Sequence, residues 1–279
     1  VFGVFPACVR AAYADGASVS FVLIVSTAAR AILPWLFCLW TRKPIFASRE
    51  DTKLAVTGGF FSAVSMIGNI TALHYMAAPL TVIVMYTHTL MLLFFMAWRG
   101  EVKLDAATII TTFLALAGLS FALDVWYSAG SLSLPGVSLA LIGALATMSR
   151  LYVYGHLTKT RNPAIVGTET FLMTLFFISF VAFFQTPHPP ASPAGWGWML
   201  LASLCLAAGT MGMFYSISLI GSFQFSLLMK LEPVCAALFS ALLISEILHP
   251  RQYFGILMVV ASLVAYQYMD YRRKNRAST

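Results

Sequence analysis

Ten runs of apolar residues, bounded by charged residues, proline or glycine, divide this chain from end to end. They settle which solvent the chain meets before they settle its fold. The runs cover about 1–14, 18–40, 54–74, 79–98, 105–123, 134–156, 163–185, 195–217, 221–244 and 253–268. Most approach the roughly 20 residues that a helix needs to cross the hydrocarbon core of a bilayer. A soluble domain carries roughly 25% charged residues. This chain of 279 residues has 10% charged and 60% hydrophobic residues, which leaves too few charges to cover a water-facing surface. A β-barrel would alternate apolar and polar residues in segments of about ten. The expected fold class is an all-α membrane protein of ten transmembrane helices with short connections and no soluble domain. The first run is short and the chain begins at Val1, which predicts a first helix clipped at its N-terminus. It has no basic leader or small-residue cleavage site of a signal peptide.

Orientation follows from the lysines and arginines of the short loops. Of seventeen basic residues, twelve fall on one side: Arg42, Lys43, Arg49, Lys53, Arg99, Lys103, Lys159, Arg161, Arg272, Arg273, Lys274 and Arg276. Arg251 stands alone on the other side, and four lie inside the runs. This asymmetry places both termini in the cytoplasm and the chain in the cell inner membrane. The net charge of +7 is therefore topology, and no nucleic acid partner is expected. Cys8, Cys38, Cys205 and Cys235 all lie in apolar runs without CxxC spacing, so they are read as packing residues rather than a disulfide or metal site. No metal or cofactor is expected.

The chain also repeats itself. Arg99-Gly100-Glu101-Val102-Lys103-Leu104 joins the fourth run to the fifth. Ile244-Ser245-Glu246-Ile247-Leu248-His249 does the same between the ninth and tenth, 145 residues later. Each half has five runs, an odd number, so the second copy enters the membrane from the opposite face. The expected organisation is a first five-helix repeat over 1–130, a second inverted repeat over 131–270 and a basic cytoplasmic tail over 271–279. Inverted repeats of this kind underlie alternating access in secondary transporters.

The first-half stretch Ala72-Leu73-His74-Tyr75-Met76-Ala77-Ala78-Pro79, followed by the fourth run and Gly100-Glu101, resembles a signature of the drug/metabolite transporter superfamily, EamA type. Gly221-Ser222-Phe223 through Leu231-Glu232-Pro233-Val234, then Ser245-Glu246 and Gly255, is similar to its second-half signature. The resemblance spans nearly the whole chain. It implies ten helices in two inverted repeats around a central cavity and the export of amino acids or other metabolites, or carriage of drugs or nucleotide-linked sugars. The aromatic-rich motif associated with aromatic amino acid exporters is not visible in Val84-Met85-Tyr86-Thr87-His88-Thr89.

Ionisable groups inside a span usually face a cavity or a partner, because at the bilayer centre each costs several kcal/mol. The embedded set is Arg10, Arg30, Arg150, Lys230, Glu169 and Glu232. Its surplus of positive charge favours an anion or a carboxylate-bearing zwitterion. Lys230 and Glu232 lie roughly 14–17 Å into the ninth run, and Pro233, which cannot donate a backbone hydrogen bond, frees a carbonyl one turn earlier. Lys230 is a candidate to hold a substrate carboxylate and Glu232 to take a coupling proton. Alternatively, each bonds a neighbouring helix. Arg30 is too deep to snorkel and is read as lining the pathway or pairing with Glu169 or Glu232. Arg150 and Glu169 lie nearer the cytoplasmic end, and Arg10 near Asp15 at the outer end. His88 falls opposite Pro233 when the halves are aligned. It could bind substrate or change protonation near neutral pH, or bond a neighbouring helix. Tyr86, Asn69, Tyr152, Tyr215 and Gln224 are further candidates for a polar lining. The six tryptophans are read as an interfacial belt, and the glycines within the runs as sites of close helix approach.

The partners expected are a small-molecule substrate, the lipid bilayer and a proton as coupling ion. Two other classes compete. An integral-membrane enzyme would need a motif such as HExxH or a nucleophile elbow, and neither is present. A channel would need a filter loop or a ring of subunits. No phosphate-binding loop provides for ATP.

Overall fold

The computed structural model describes residues 5–42, 44–46, 49–73, 75–102, 104–127, 133–182, 186–244 and 249–278. Side chains at 5–7, 10, 181, 182, 239–244, 273, 274 and 276–278 are outside that description. So are Lys43, His74, Lys103 and Glu246, and with them the second of the two repeated glutamates.

The described residues are helical, with no strand among them. In chain order the helices are α1 (Phe5–Ala14), α2 (Val19–Trp40), α3 (Arg49–Ala72), α4 (Ala78–Tyr86), α5 (His88–Trp98), α6 (Ala106–Ala122), α7 (Leu134–Thr160), α8 (Pro163–Ala182), α9 (Pro193–Ile220), α10 (Ser222–Leu228), α11 (Leu231–Ile244) and α12 (Pro250–Ser278), with one 3-10 turn at Val125–Tyr127. Local chemistry sets several starts. The Ser18 hydroxyl accepts from the Phe21 N–H at 3.2 Å, Asp105 from Thr108 N–H at 3.4 Å and Ser192 from Gly195 N–H at 3.1 Å. Each gives a helix N-terminus an acceptor for a donor that has no partner within the helix.

Seven helices among the described residues are long and apolar enough to span a membrane, with α4 and α5 taken as one. Helix α6 is apolar but only 17 residues long. Two expected spans are discontinuous: the fourth breaks at Thr87, and the ninth at Met229–Lys230. The depth of Lys230 and Glu232 reckoned along one helix therefore does not apply. The basic tail continues the last helix through Ser278. Part of the reason is local, because the Arg272 guanidinium sits 4.6 Å from the centroid of the Tyr268 ring one turn earlier. All six tryptophans are exposed. Cys8 and Cys38 are buried, whereas Cys235 is exposed and so faces outward rather than packing.

The chain forms two units, one from 1–64 and 149–225, the other from 65–148 and 226–279. Each draws on both halves of the sequence, so this spatial division is distinct from the sequence repeat. In the first unit α2 packs against α8 and α9, and α1 against α9. Cys8, Val9 and Ala12 meet Val22, Met199 and Ala202 there. In the second unit α6 packs along α12. A Cβ on Gly255 would lie 2.6 Å from the Gly118 carbonyl oxygen and collide with the Ala122 nitrogen. Only glycine lets these two backbones approach so closely.

Candidate functional site

In the second unit the two discontinuous helices meet at their breaks. In an unbroken helix the Ser226 carbonyl would accept from the Lys230 N–H. That N–H instead bonds the Leu227 carbonyl at 3.1 Å, and the Thr89 hydroxyl donates to Ser226 O at 3.3 Å. The Met229 carbonyl would normally accept from residue 233, but Pro233 has no N–H. It receives the Tyr86 hydroxyl at 3.0 Å and the Glu232 N–H at 3.0 Å. The side chains of one broken segment thus satisfy the carbonyls exposed by the break in the other.

The first break has no proline. It arises where side chains compete for the backbone. The Thr87 hydroxyl donates to Val84 O at 2.6 Å, and His88 Nδ1 donates to Met85 O at 2.8 Å. Because a carbonyl can only accept, Nδ1 carries a proton. The rings of Tyr86 and His88 lie 5.6 Å apart, and both residues are buried.

Lys230 sits in the second break. It is 0% exposed, and its Nζ has no hydrogen-bond partner among the described residues. Glu232 is half-buried in the first turn of α11, where a carboxylate complements the positive end of the helix dipole.

The first unit holds a second group of embedded charges. Arg30 is 8% exposed. Its Nε donates to Ser26 O at 3.3 Å and its Nη2 to Thr27 Oγ1 at 3.2 Å, while its guanidinium lies 4.8 Å from the Phe171 ring centroid. Phe171 packs edge-on to Phe214, which touches Tyr154 at 4.7 Å between centroids. The Tyr154 hydroxyl bonds Ser62 at 2.5 Å. Arg150 lies within electrostatic reach of Arg30, and its buried Nε has no hydrogen-bond partner among the described residues.

Glu169 occupies different surroundings. It is 0% exposed, and Arg161 grips it with two bonds of 2.6 and 2.8 Å. The Phe46 N–H donates to the same carboxylate at 2.5 Å, and Asp51 lies 3.4 Å from Arg161 Nε. The hydrogen bonds to Glu169 raise the Arg161 pKa above the ordinary guanidinium value against a smaller opposing effect of burial, so this loop residue stays charged. Asp15 accepts from the Ser192 N–H and hydroxyl at 2.8 and 2.9 Å, while the side chain of Arg10, its expected neighbour, lies outside the described residues. Asn69 Nδ2 donates to Ser65 at 3.4 Å and Tyr215 is exposed.

Thr89, Ser226, Ser62, Tyr154 and Phe171 take part in these two groups without having been singled out by sequence. A hydroxyl in an apolar run is usually satisfied by its own helix, so its role shows only when the other helix is in place.

A model of the EamA-like transporter family matches residues 134–266. No curated protein matches the chain. Among solved structures, one described only as the crystal structure of a protein superposes with a TM-score of 0.80 and 16% identity, over 97% of this chain and 94% of that one. The second half of the chain thus matches the EamA-like transporter family, and the chain as a whole shares its fold with a solved structure. With seven helices among the described residues long and apolar enough to cross a bilayer, it is a multi-pass membrane protein.

Proposed function

We propose that this chain is a secondary active transporter that moves a small polar metabolite with a negatively charged group, an amino acid or organic anion, out across the inner membrane. In this reading its ten spans form two inverted five-helix repeats over 1–130 and 131–270, with both termini cytoplasmic, and it works by alternating access. A proton is the coupling ion.

One observation carries the choice of substrate class. Lys230 places at a helix break a buried amine that has no hydrogen-bond partner among the described residues. An uncompensated polar group in a low-dielectric interior costs several kcal/mol, and a substrate carboxylate would offset that cost. Discontinuous helices are where transporters of this architecture place substrate and coupling ions. Tyr86 and His88 belong to the facing break, and the Tyr86 hydroxyl bonds the carbonyl of Met229, next to Lys230 in the chain. Arg30 and Arg150 supply further positive charge in the first unit. Glu169 is occupied by Arg161, which reduces the negative charge that would offset these cations.

The test is counterflow in proteoliposomes across a panel of amino acids and organic anions. Wild-type protein gives saturable exchange for a carboxylate-bearing solute, and Lys230→Ala abolishes it while the protein remains folded. Undiminished flux in that variant would remove Lys230 from the site. Strict preference for cationic solutes would overturn the substrate class.

A further inference from the structure

Helix α12 and the broken α10–α11 segment enclose an apolar groove of about 470 Å³ in the second unit. Leu228 and Leu231 form one wall, and Val260, Val264, Tyr268 and Tyr271 form the other. The α12 residues named here are all exposed. In a membrane-spanning chain these walls face hydrocarbon, and the groove is of a size to take a single acyl chain. Its end is not apolar. The Arg272 guanidinium stands over the Tyr268 ring at 4.6 Å, directly beside a groove residue, and is exposed. The sequence then adds Arg273, Lys274 and Arg276.

We propose that this groove is a binding site for one anionic phospholipid, with an acyl chain along Val260, Val264 and Tyr268 and the headgroup phosphate on Arg272. Two features make the match. The groove is apolar along its length and basic at one end, which is the polarity of a lipid molecule. The basic end also coincides with the side that carries twelve of the loop cations, and anionic lipids of the cytoplasmic leaflet attract such juxtamembrane clusters. Lys and Arg at that level contribute through the charge of the phosphate, whereas the tail contributes through buried apolar area. The site is independent of the substrate reading, since none of its residues belongs to the paired breaks' hydrogen-bonded set.

Native mass spectrometry of the full chain in detergent, given equal amounts of phosphatidylglycerol and phosphatidylcholine, tests it. One phosphatidylglycerol should be retained in preference. Arg272→Ala should reduce that preference roughly fivefold, the worth of one basic side chain at the membrane surface, while Arg272→Lys keeps it. Val264→Trp, which fills the groove, should reduce retention of both lipids. Equal retention of the two lipids by the wild type, or a preference untouched by Arg272→Ala, would overturn the site. So would a dimer, seen by light scattering, that Val264→Trp dissolves, because a second copy would then be the occupant.

Discussion

Arg161 and Lys230 are both basic residues drawn into this protein, and they are treated in opposite ways. Arg161 meets Glu169 through two short bonds and Asp51 through a third contact. Lys230 is fully buried and its amine has no hydrogen-bond partner among the described residues. A buried pair whose bonds are complete is architecture: it ties the loop at Phe46 and the start of α8 to the end of α7. A buried amine with no hydrogen-bond partner among the described residues adds no such tie to the fold, and under the proposed function it is the group left to meet a substrate. The contrast reassigns the embedded charges. Glu169 is ionisable and deep, as is Lys230, yet the Glu169 carboxylate is engaged by Arg161 and Phe46, whereas Lys230 Nζ has no hydrogen-bond partner among the described residues.

The largest stability effect should follow from breaking the satisfied pair. Glu169→Ala leaves Arg161 and the Phe46 N–H without their shared acceptor, and losing one partner of a buried ion pair costs about 3–5 kcal/mol. Unfolding in detergent should shift down by that amount. A variant as stable as wild type would show that the clamp is ornamental. Lys230→Met should go the other way. Replacing a buried amine that lacks a hydrogen-bond partner among the described residues by an apolar side chain of similar length removes a desolvation cost of about 1–3 kcal/mol, so stability should hold or rise while counterflow vanishes. A destabilised Lys230→Met would assign Lys230 to the architecture with Glu169.

Tyr86→Phe sharpens the comparison from the side of the break that holds Lys230. Removing the hydroxyl leaves the Met229 carbonyl with only the Glu232 N–H, and an under-satisfied buried polar group costs about 1–3 kcal/mol. The expected value lies near the lower end because one donor remains. The check is a thermal unfolding shift together with the KM and maximal rate of exchange. If Tyr86 also touches substrate, KM rises; if it only holds the break, the maximal rate changes alone.

Sequence made the apolar segments plain, because length and hydropathy act residue by residue. The break in the ninth segment was foreshadowed by Pro233, whose missing N–H can be read from one letter. The break at Thr87 was not, since it depends on Thr87 and His88 turning their side chains onto Val84 and Met85 rather than outward. The partner of Glu169 was hidden for a related reason. Arg161 sits in a run of loop cations and counts toward topology there. Only the turn between α7 and α8 folds it back onto a carboxylate eight residues later. That Lys230 Nζ has no hydrogen-bond partner among the described residues is the hardest of all to read from sequence, because it depends on every neighbour at once.

The smallest expected effect belongs to Thr89, and it isolates the break from the charge. The hydroxyl's bond to Ser226 O is 3.3 Å long, so Thr89→Val, which keeps the shape of the side chain, should cost only about 0.5–1.5 kcal/mol. The consequence should be local. With Ser226 O no longer held by Thr89, the carbonyl can recover the Lys230 N–H that it would accept in a continuous helix, and the break becomes easier to close. Amide hydrogen exchange at Lys230 should change while the remainder of α11 keeps its protection. Combining the substitution with Tyr86→Phe should give a loss different from the sum of the two, as expected of neighbours acting on one element. Strict additivity would mean that the two hydroxyls cap separate carbonyls without jointly holding the geometry that presents Lys230.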